Sequence, residues 1–151
     1  MKHAEFDGVR SQLYKEAMND YPDARKADIE TMLKLLHPHP NETVLCFGEG
    51  TGYFSPVIAH IAKQVLVTDP SRDQLEALLK QTYSKNIQIK VGGIEELDLP
   101  ERTFDKVWSF GALHHANNQT KALQNIYGTL KPNGTVVICD VFQGSTLAQH
   151  F

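Results

Sequence analysis

Two groups of residues in this 151-residue chain have types and spacing that could do chemistry. The first is Gly48-Glu49-Gly50-Thr51-Gly52. It lies between the apolar run Thr43-Val44-Leu45-Cys46-Phe47 and a segment that repeats Phe54, Val57, Ile58, Ile61 and Ala62 at helical spacing. Glycines at a strand-to-helix turn let the backbone bend sharply, and they let a ligand approach the N–H groups at the start of the helix. The next strand-like run, Val65-Leu66-Val67-Thr68, ends in Asp69, an acid placed to accept both hydroxyls of a ribose. Strand, glycine turn, helix, strand and acid in that order point to a bound nucleoside. The glycine spacing is G-x-G-x-G. A nicotinamide fingerprint requires G-x-G-x-x-G, and its last position falls on Tyr53 or Ser55, which disfavours an oxidoreductase. The second group is His114-His115, in a polar loop from Gly111 to Asn118. Histidine titrates near neutral pH, so one of the pair is a candidate general base; a solvated or backbone-bonded pair is the other reading.

These residues need a scaffold, and the hydrophobic pattern supplies one. Five short strands are predicted at 43–47, 65–68, 87–91, 105–110 and 135–139, separated by helix-period segments. That alternation describes a parallel sheet with crossover helices, in which ligands bind at the carboxyl ends of the strands. Ile87-Gln88-Ile89-Lys90-Val91 alternates and reads as an edge strand. Ser71 is a predicted N-cap for a helix carrying Leu75, Leu78 and Leu79. A further helix carries Ala122, Leu123, Ile126, Tyr127 and Leu130, and Lys131-Pro132-Asn133-Gly134 reads as a turn. Upstream, Phe6, Val9, Leu13, Ala17 and Met18 predict one helix face, and Ile29, Met32, Leu33 and Leu36 a second. His37-Pro38-His39-Pro40 ends that second helix. Trp108 reads as core, and residues 142–151 could begin another helix.

Composition narrows the function classes. Lys plus Arg is 15, Asp plus Glu is 18 and the net charge is −3, so no basic excess draws the chain to nucleic acid or anionic lipid. The two cysteines, Cys46 and Cys139, are too few for a disulfide framework and read as reduced thiols of a cytoplasmic protein. No run is long enough to span a bilayer, and no basic start is followed by an apolar segment, so no membrane association or secretory signal is expected. His37 and His39 lack the companion ligands of a metal site.

The G-x-G-x-G turn resembles motif I of the class I S-adenosylmethionine-dependent methyltransferases, closest to the type 11, ubiquinone- and menaquinone-methyltransferase-like group. Asp69-Pro70-Ser71 with Gln74-Leu75 is similar to that family's acidic loop, and Gly92-Gly93-Ile94-Glu95-Glu96-Leu97 to its adenine loop. Phe104-Asp105-Lys106-Val107 followed by Ser109-Phe110-Gly111-Ala112-Leu113-His114-His115 is similar to its strand-four signature, and Leu130-Lys131-Pro132-Asn133-Gly134 to its turn before strand five. The resemblance covers roughly residues 41–141. It implies a Rossmann-like doubly wound sheet of order 3-2-1-4-5, and transfer of a methyl group from S-adenosylmethionine to a small-molecule acceptor with S-adenosylhomocysteine as product. It implies a cofactor site at Cys46, Gly48, Glu49, Gly50, Gly52, Asp69, Pro70, Gly93, Ile94, Glu95 and Ser109. The expected organisation is a single domain: helical cover 1–40, core 41–141, tail 142–151. Tyr14, Tyr21 and Arg25 lie on the cover, as ligand contacts or as ordinary surface.

Three departures from the family pattern stand out. Cys46 occupies a position where the family has Asp or Glu, Gly93 one where it often has an acid, and the chain stops before the family's C-terminal antiparallel hairpin. The last departure leaves strand five as an edge, which a second copy or a partner chain is expected to cover. The first two keep an alternative open: a methyltransferase-like binding module or partner subunit without activity.

Overall fold

The computed structural model describes residues 8–50, 52–141 and 144. Five strands, β1 (Thr43–Phe47), β2 (Gln64–Asp69), β3 (Ile87–Val91), β4 (Phe104–Phe110) and β5 (Leu130–Cys139), form one sheet in the order β3-β2-β1-β4-β5, with every neighbouring pair parallel. This is the Rossmann-like order expected from the resemblance. Central strands of such a sheet are covered on both faces, so they read as continuous apolar runs. Val44, Leu45, Cys46, Val65, Val67, Val107 and Trp108 are all 0% exposed. The edge strand β3 alternates between buried and exposed, as its sequence predicts.

The pleat divides the core in two. Val44, Cys46, Val67 and Trp108 pack with Met32 and Leu36 of α2 (Lys26–Leu36), Ile58 of α3 (Ser55–Ala59) and Leu75 and Leu78 of α4 (Arg72–Gln81). Leu45, Phe47 and Val107 face the other way, against Ile94, Ala122 and Ile126, the last two on α5 (Gln119–Thr129). Each fully buried Leu or Ile stabilises the fold by roughly 1.5–3 kcal/mol. Ser71 caps α4 by accepting a hydrogen bond from the Gln74 N–H at 3.2 Å, as expected.

Several helical stripes differ from expectation. On α1 (Val9–Asp20) Val9, Leu13 and Ala17 are exposed, and the buried residues are Ser11 and Met18; Phe6 lies outside the described residues. The helix is held by polar contacts at its ends instead. The Tyr53 hydroxyl donates to the Met18 carbonyl at 2.6 Å, and the Gly8 N–H donates to Asp73 at 3.1 Å. Helix α3 stops at Ala59, leaving Val57 and Ile61 on its outer side, and Leu79, Leu123 and Tyr127 also point outward. A helix one layer deep buries only a narrow stripe, so the flanking apolar residues stay in water. The expected turn Lys131–Gly134 lies inside β5. The register jumps from Phe104↔Leu130 to Lys106↔Thr135, Asn133 has φ +65, and Lys131 Nζ meets both Asp105 carboxylate oxygens at 2.9 Å. The chain thus turns within a bulge without leaving the sheet. The proposed helix at 142–151 lies outside the described residues, Gly144 aside.

Candidate active site

The turn after β1 is built by steric necessity. Gly48 has φ +63, and a Cβ there would stand 2.1 Å from the Ala112 Cβ. No larger residue fits between the end of β1 and the loop after β4.

Two buried carboxylates organise this turn. Asp69, at the carboxyl end of β2, accepts the Gly50 N–H on Oδ2 at 2.9 Å and the Ser71 N–H on Oδ1 at 2.8 Å. It therefore fixes the glycine turn and the start of α4 together. Glu49 is 6% exposed and folds its carboxyl back over the turn, where Oε1 accepts the Phe54 N–H at 2.7 Å and also the Ser55 N–H. Its other oxygen, Oε2, is buried and accepts no hydrogen bond from any described residue. Burial raises the Glu49 carboxyl to about 7, against the pull of the Ser55 and Phe54 N–H groups.

Cys46 is packed inside the apolar layer beneath the turn at 0% exposure. Burial pushes its thiol well up, and the Glu49 charge adds to that, so it is a neutral group. Neither cysteine is in a disulfide; Cys46 and Cys139 are separated by β4.

The cover reaches this turn. Burial raises the Tyr14 hydroxyl, opposed by Arg25 and reinforced by Glu49, Tyr53 and Asp69, which places all four charged or polar groups around it. The Arg25 guanidinium lies over the Phe110 ring, 5.1 Å from its centroid. Tyr21 is exposed.

The loop after β3 adjoins through the Gly92 N–H, which donates to the Asp69 carbonyl at 2.9 Å. Gly93 and Ile94 are buried there; their carbonyls accept from the Glu96 and Leu97 N–H groups at 3.0 Å and from the Asn125 side chain at 2.9 Å. Glu95, also 6% exposed, accepts the Asn117 and Asn118 N–H groups at 3.2 Å each. It thereby ties this loop to the start of α5. Pro70 is half-buried between Asp69 and Ser71. Ser109 stands beside Phe47 in register, 0% exposed, its hydroxyl without a partner among the described residues.

His114 and His115 sit on a single 3-10 turn, Leu113–His115, with ring centroids 3.9 Å apart. Sequence reasoning missed the partner of this turn. Asp140, just past β5, accepts His114 Nδ1 at 2.5 Å on Oδ1, and the Leu113 and His114 N–H groups at 2.7 and 3.2 Å on Oδ2. The signal was available, since Asp140 directly follows strand five much as Asp69 ends strand two. Tyr53 was also missed, having been weighed only as a failed glycine position. His37 and His39 stack on each other at 4.6 Å, away from this cluster in sequence and at the end of α2.

A left-handed glycine turn, an acid at the end of β2 and a buried acid with an uncommitted oxygen fit a nucleoside bearing a cationic end. The family model of the methyltransferase domain matches residues 45–138, well over half of the chain. The chain belongs to this family. It is a class I S-adenosylmethionine-dependent methyltransferase domain by sequence and by fold. The methyltransferase gedG of Aspergillus terreus is 32% identical over 95 residues, covering 62% of this chain and 30% of that protein. The malonyl-acyl-carrier-protein O-methyltransferase of Serratia marcescens is 27% identical over 116 residues, covering 77% of this chain and 45% of that protein. The chain therefore spans less than half the length of either relative. Among solved structures, phosphoethanolamine N-methyltransferase 1 of Haemonchus contortus, in complex with phosphoethanolamine and S-adenosylhomocysteine, superposes with TM-score 0.72 at 22% identity over 89% of this chain and 33% of that one. That likeness concerns the fold. Among the described residues, no helix is long and apolar enough to cross a membrane.

Proposed function

We propose that this methyltransferase domain transfers the methyl group of S-adenosylmethionine to a small-molecule acceptor in the cytoplasm, releasing S-adenosylhomocysteine. The observation that carries the reading is the pair of buried carboxylates, Glu49 and Asp69, on either side of the Gly50 N–H at the carboxyl ends of β1 and β2. Asp69 would accept the ribose hydroxyls. The loop Gly93-Ile94-Glu95, with Pro70, would line the adenine, and Ser109 would lie under the amino-acid end. When bound, the cofactor supplies a methyl group made electrophilic by a sulfonium.

The chain's own residues then have to hold an acceptor in line, exclude water and take a proton where the acceptor has one to lose. Tyr14 and Arg25 on the cover exclude water and shape the acceptor side. His114 is the base candidate. Its Nδ1 is engaged by Asp140, which leaves Nε2 as the basic nitrogen and fixes the ring's orientation. His115 packs against that ring. Of the proteins similar to this chain, one is named for malonyl-acyl-carrier protein and one for phosphoethanolamine; the second supports a small polar acceptor. One domain comprising cover, core and tail is part of this reading. So is self-association across the outer edge of β5, which has no strand beside it among the described residues. A measured monomer at high concentration removes that last element.

A second reading, a binding module without activity, is favoured by the neutral Cys46 thiol and by the engagement of both Glu95 oxygens with backbone. Thermal unfolding with S-adenosylmethionine, S-adenosylhomocysteine and NAD separates the two. At one hundred times its dissociation constant a ligand stabilises the fold by about 2.7 kcal/mol. The enzyme reading expects that response to the first two compounds only; silence to all three supports the module.

A further inference from the structure

We propose that Glu49 supplies, from within the glycine turn, the carboxylate that receives the ammonium group of the cofactor's amino-acid end. This inference rests on the cofactor reading above and gives one residue a particular role in it.

Capping the first turn of α3 uses only one oxygen of Glu49, because Oε1 takes both the Phe54 and the Ser55 N–H groups. Oε2 is left buried with no partner among the described residues. A buried acceptor in that state either holds a proton or faces a donor that arrives with a ligand. Among the described residues no cation pairs with it. Arg25 is committed to the Phe110 face and to Asp28, at 3.7 Å, and no described Lys, Arg or His pairs with Glu49. An ammonium carries three N–H donors and a positive charge, whereas a sulfonium carries charge but no donor, so the orphaned acceptor selects the ammonium. The residue beneath the turn is consistent with this assignment. Cys46 is a neutral thiol sealed in the core, so the carboxylate at this end of β1 comes from position 49.

The groups acting on Glu49 or felt by it are Cys46 on β1, the Ser55 hydroxyl on α3, Asp69 on β2 and Tyr14 on α1, and Tyr14 in turn interacts with Arg25 and Tyr53. The thiol and the Tyr14 phenol are both pushed upward and stay neutral between pH 6 and 8. Glu49, at about 7, changes charge inside that window.

Calorimetric titration with two neutral-sulfur probes tests the assignment. S-adenosylhomocysteine carries the ammonium; 5′-methylthioadenosine has the same nucleoside thioether without the amino-acid end. Glu49→Gln, with its fold verified by thermal unfolding, is expected to weaken S-adenosylhomocysteine at least tenfold and to leave 5′-methylthioadenosine within twofold. Equal losses for both probes, or no loss for either, overturn the role while leaving the cofactor reading intact. Failure of the unaltered protein to bind either probe overturns both. Should Glu49→Gln not fold, the unaltered protein suffices. The ratio of its affinities for the two probes is expected to rise about tenfold from pH 6 to pH 8 as the carboxylate forms. A ratio that stays flat overturns the proposal.

Discussion

The turn after β1 and the loop after β4 are each held by a carboxylate at the carboxyl end of the sheet, Glu49 within the turn and Asp140 just past β5, yet the two carboxylates are in opposite states. Asp140 is saturated. Its oxygens accept Leu113, His114 and Val141 N–H groups and the His114 ring, and its side chain is 16% exposed. Glu49 is more deeply buried and half satisfied, with one oxygen accepting two N–H groups and the other none. A saturated carboxylate has finished its work in the folded protein and positions what it holds. A half-satisfied buried one is completed only by a proton or a ligand. The difference separates a part of the site that orients a side chain from a part that receives a molecule.

Four substitutions or conditions probe that contrast. The largest expected effect comes from Gly48→Ala, which forces a side chain into φ +63 and against the Ala112 Cβ at 2.1 Å. Backbone strain and overpacking together should cost about 3–4 kcal/mol and lower the melting temperature by roughly 10 °C. Gly111, at the head of the other loop, has φ +60 but nothing within 4 Å of an added Cβ, so Gly111→Ala should cost only about 1 kcal/mol. Equal costs for the two would show that the first turn is not sterically closed.

Next is pH. The Glu49 carboxyl is raised from 4.5 to about 7 in the folded protein, so the folded state binds the proton more tightly than the unfolded one. This group's contribution is fully present below about pH 4.5 and is lost as pH rises through about 7, a change of about 3 kcal/mol. Urea unfolding at pH 5 and pH 8 should show that loss in the unaltered protein, relative to Glu49→Gln. A difference between the two that is independent of pH contradicts it.

A smaller effect is expected at the saturated carboxylate. Asp140→Asn keeps the shape but removes the charge on the His114 ring, a loss of about 1.5–2 kcal/mol for a charge-assisted bond. Where the acceptor must lose a proton, kcat should fall tenfold or more with KM little changed. A change confined to melting temperature would make Asp140 only a brace for the loop.

Much of the fold was legible because its signals are local. The strands followed from apolar runs and their order from the family resemblance, and Ser71 announced α4 one residue ahead of it. The turn after β1 was legible for the same reason, since Glu49 bonds residues five and six positions on and Asp69 bonds Ser71 two positions on. Asp140 was not, because its partner His114 is 26 residues away and only the parallel pairing of β4 with β5 brings them together. Nor was the attachment of α1. Its apolar residues suggested a buried stripe, but a cover held by Tyr53 and Asp73 at its ends has no need to bury Val9 or Leu13. The bulge in β5 looked like a turn because proline and Asn-Gly mark turns wherever they stand, inside a sheet or between elements.

The central claim is that the turn between β1 and β2 binds an adenosyl cofactor through Asp69. Titration of the unaltered protein and of Asp69→Ala with S-adenosylmethionine in a calorimeter tests it most directly. The account predicts saturable binding that weakens by roughly 1.5–3 kcal/mol in the variant, tenfold or more in dissociation constant. Binding of equal strength in the two proteins, or none in the unaltered one, contradicts it.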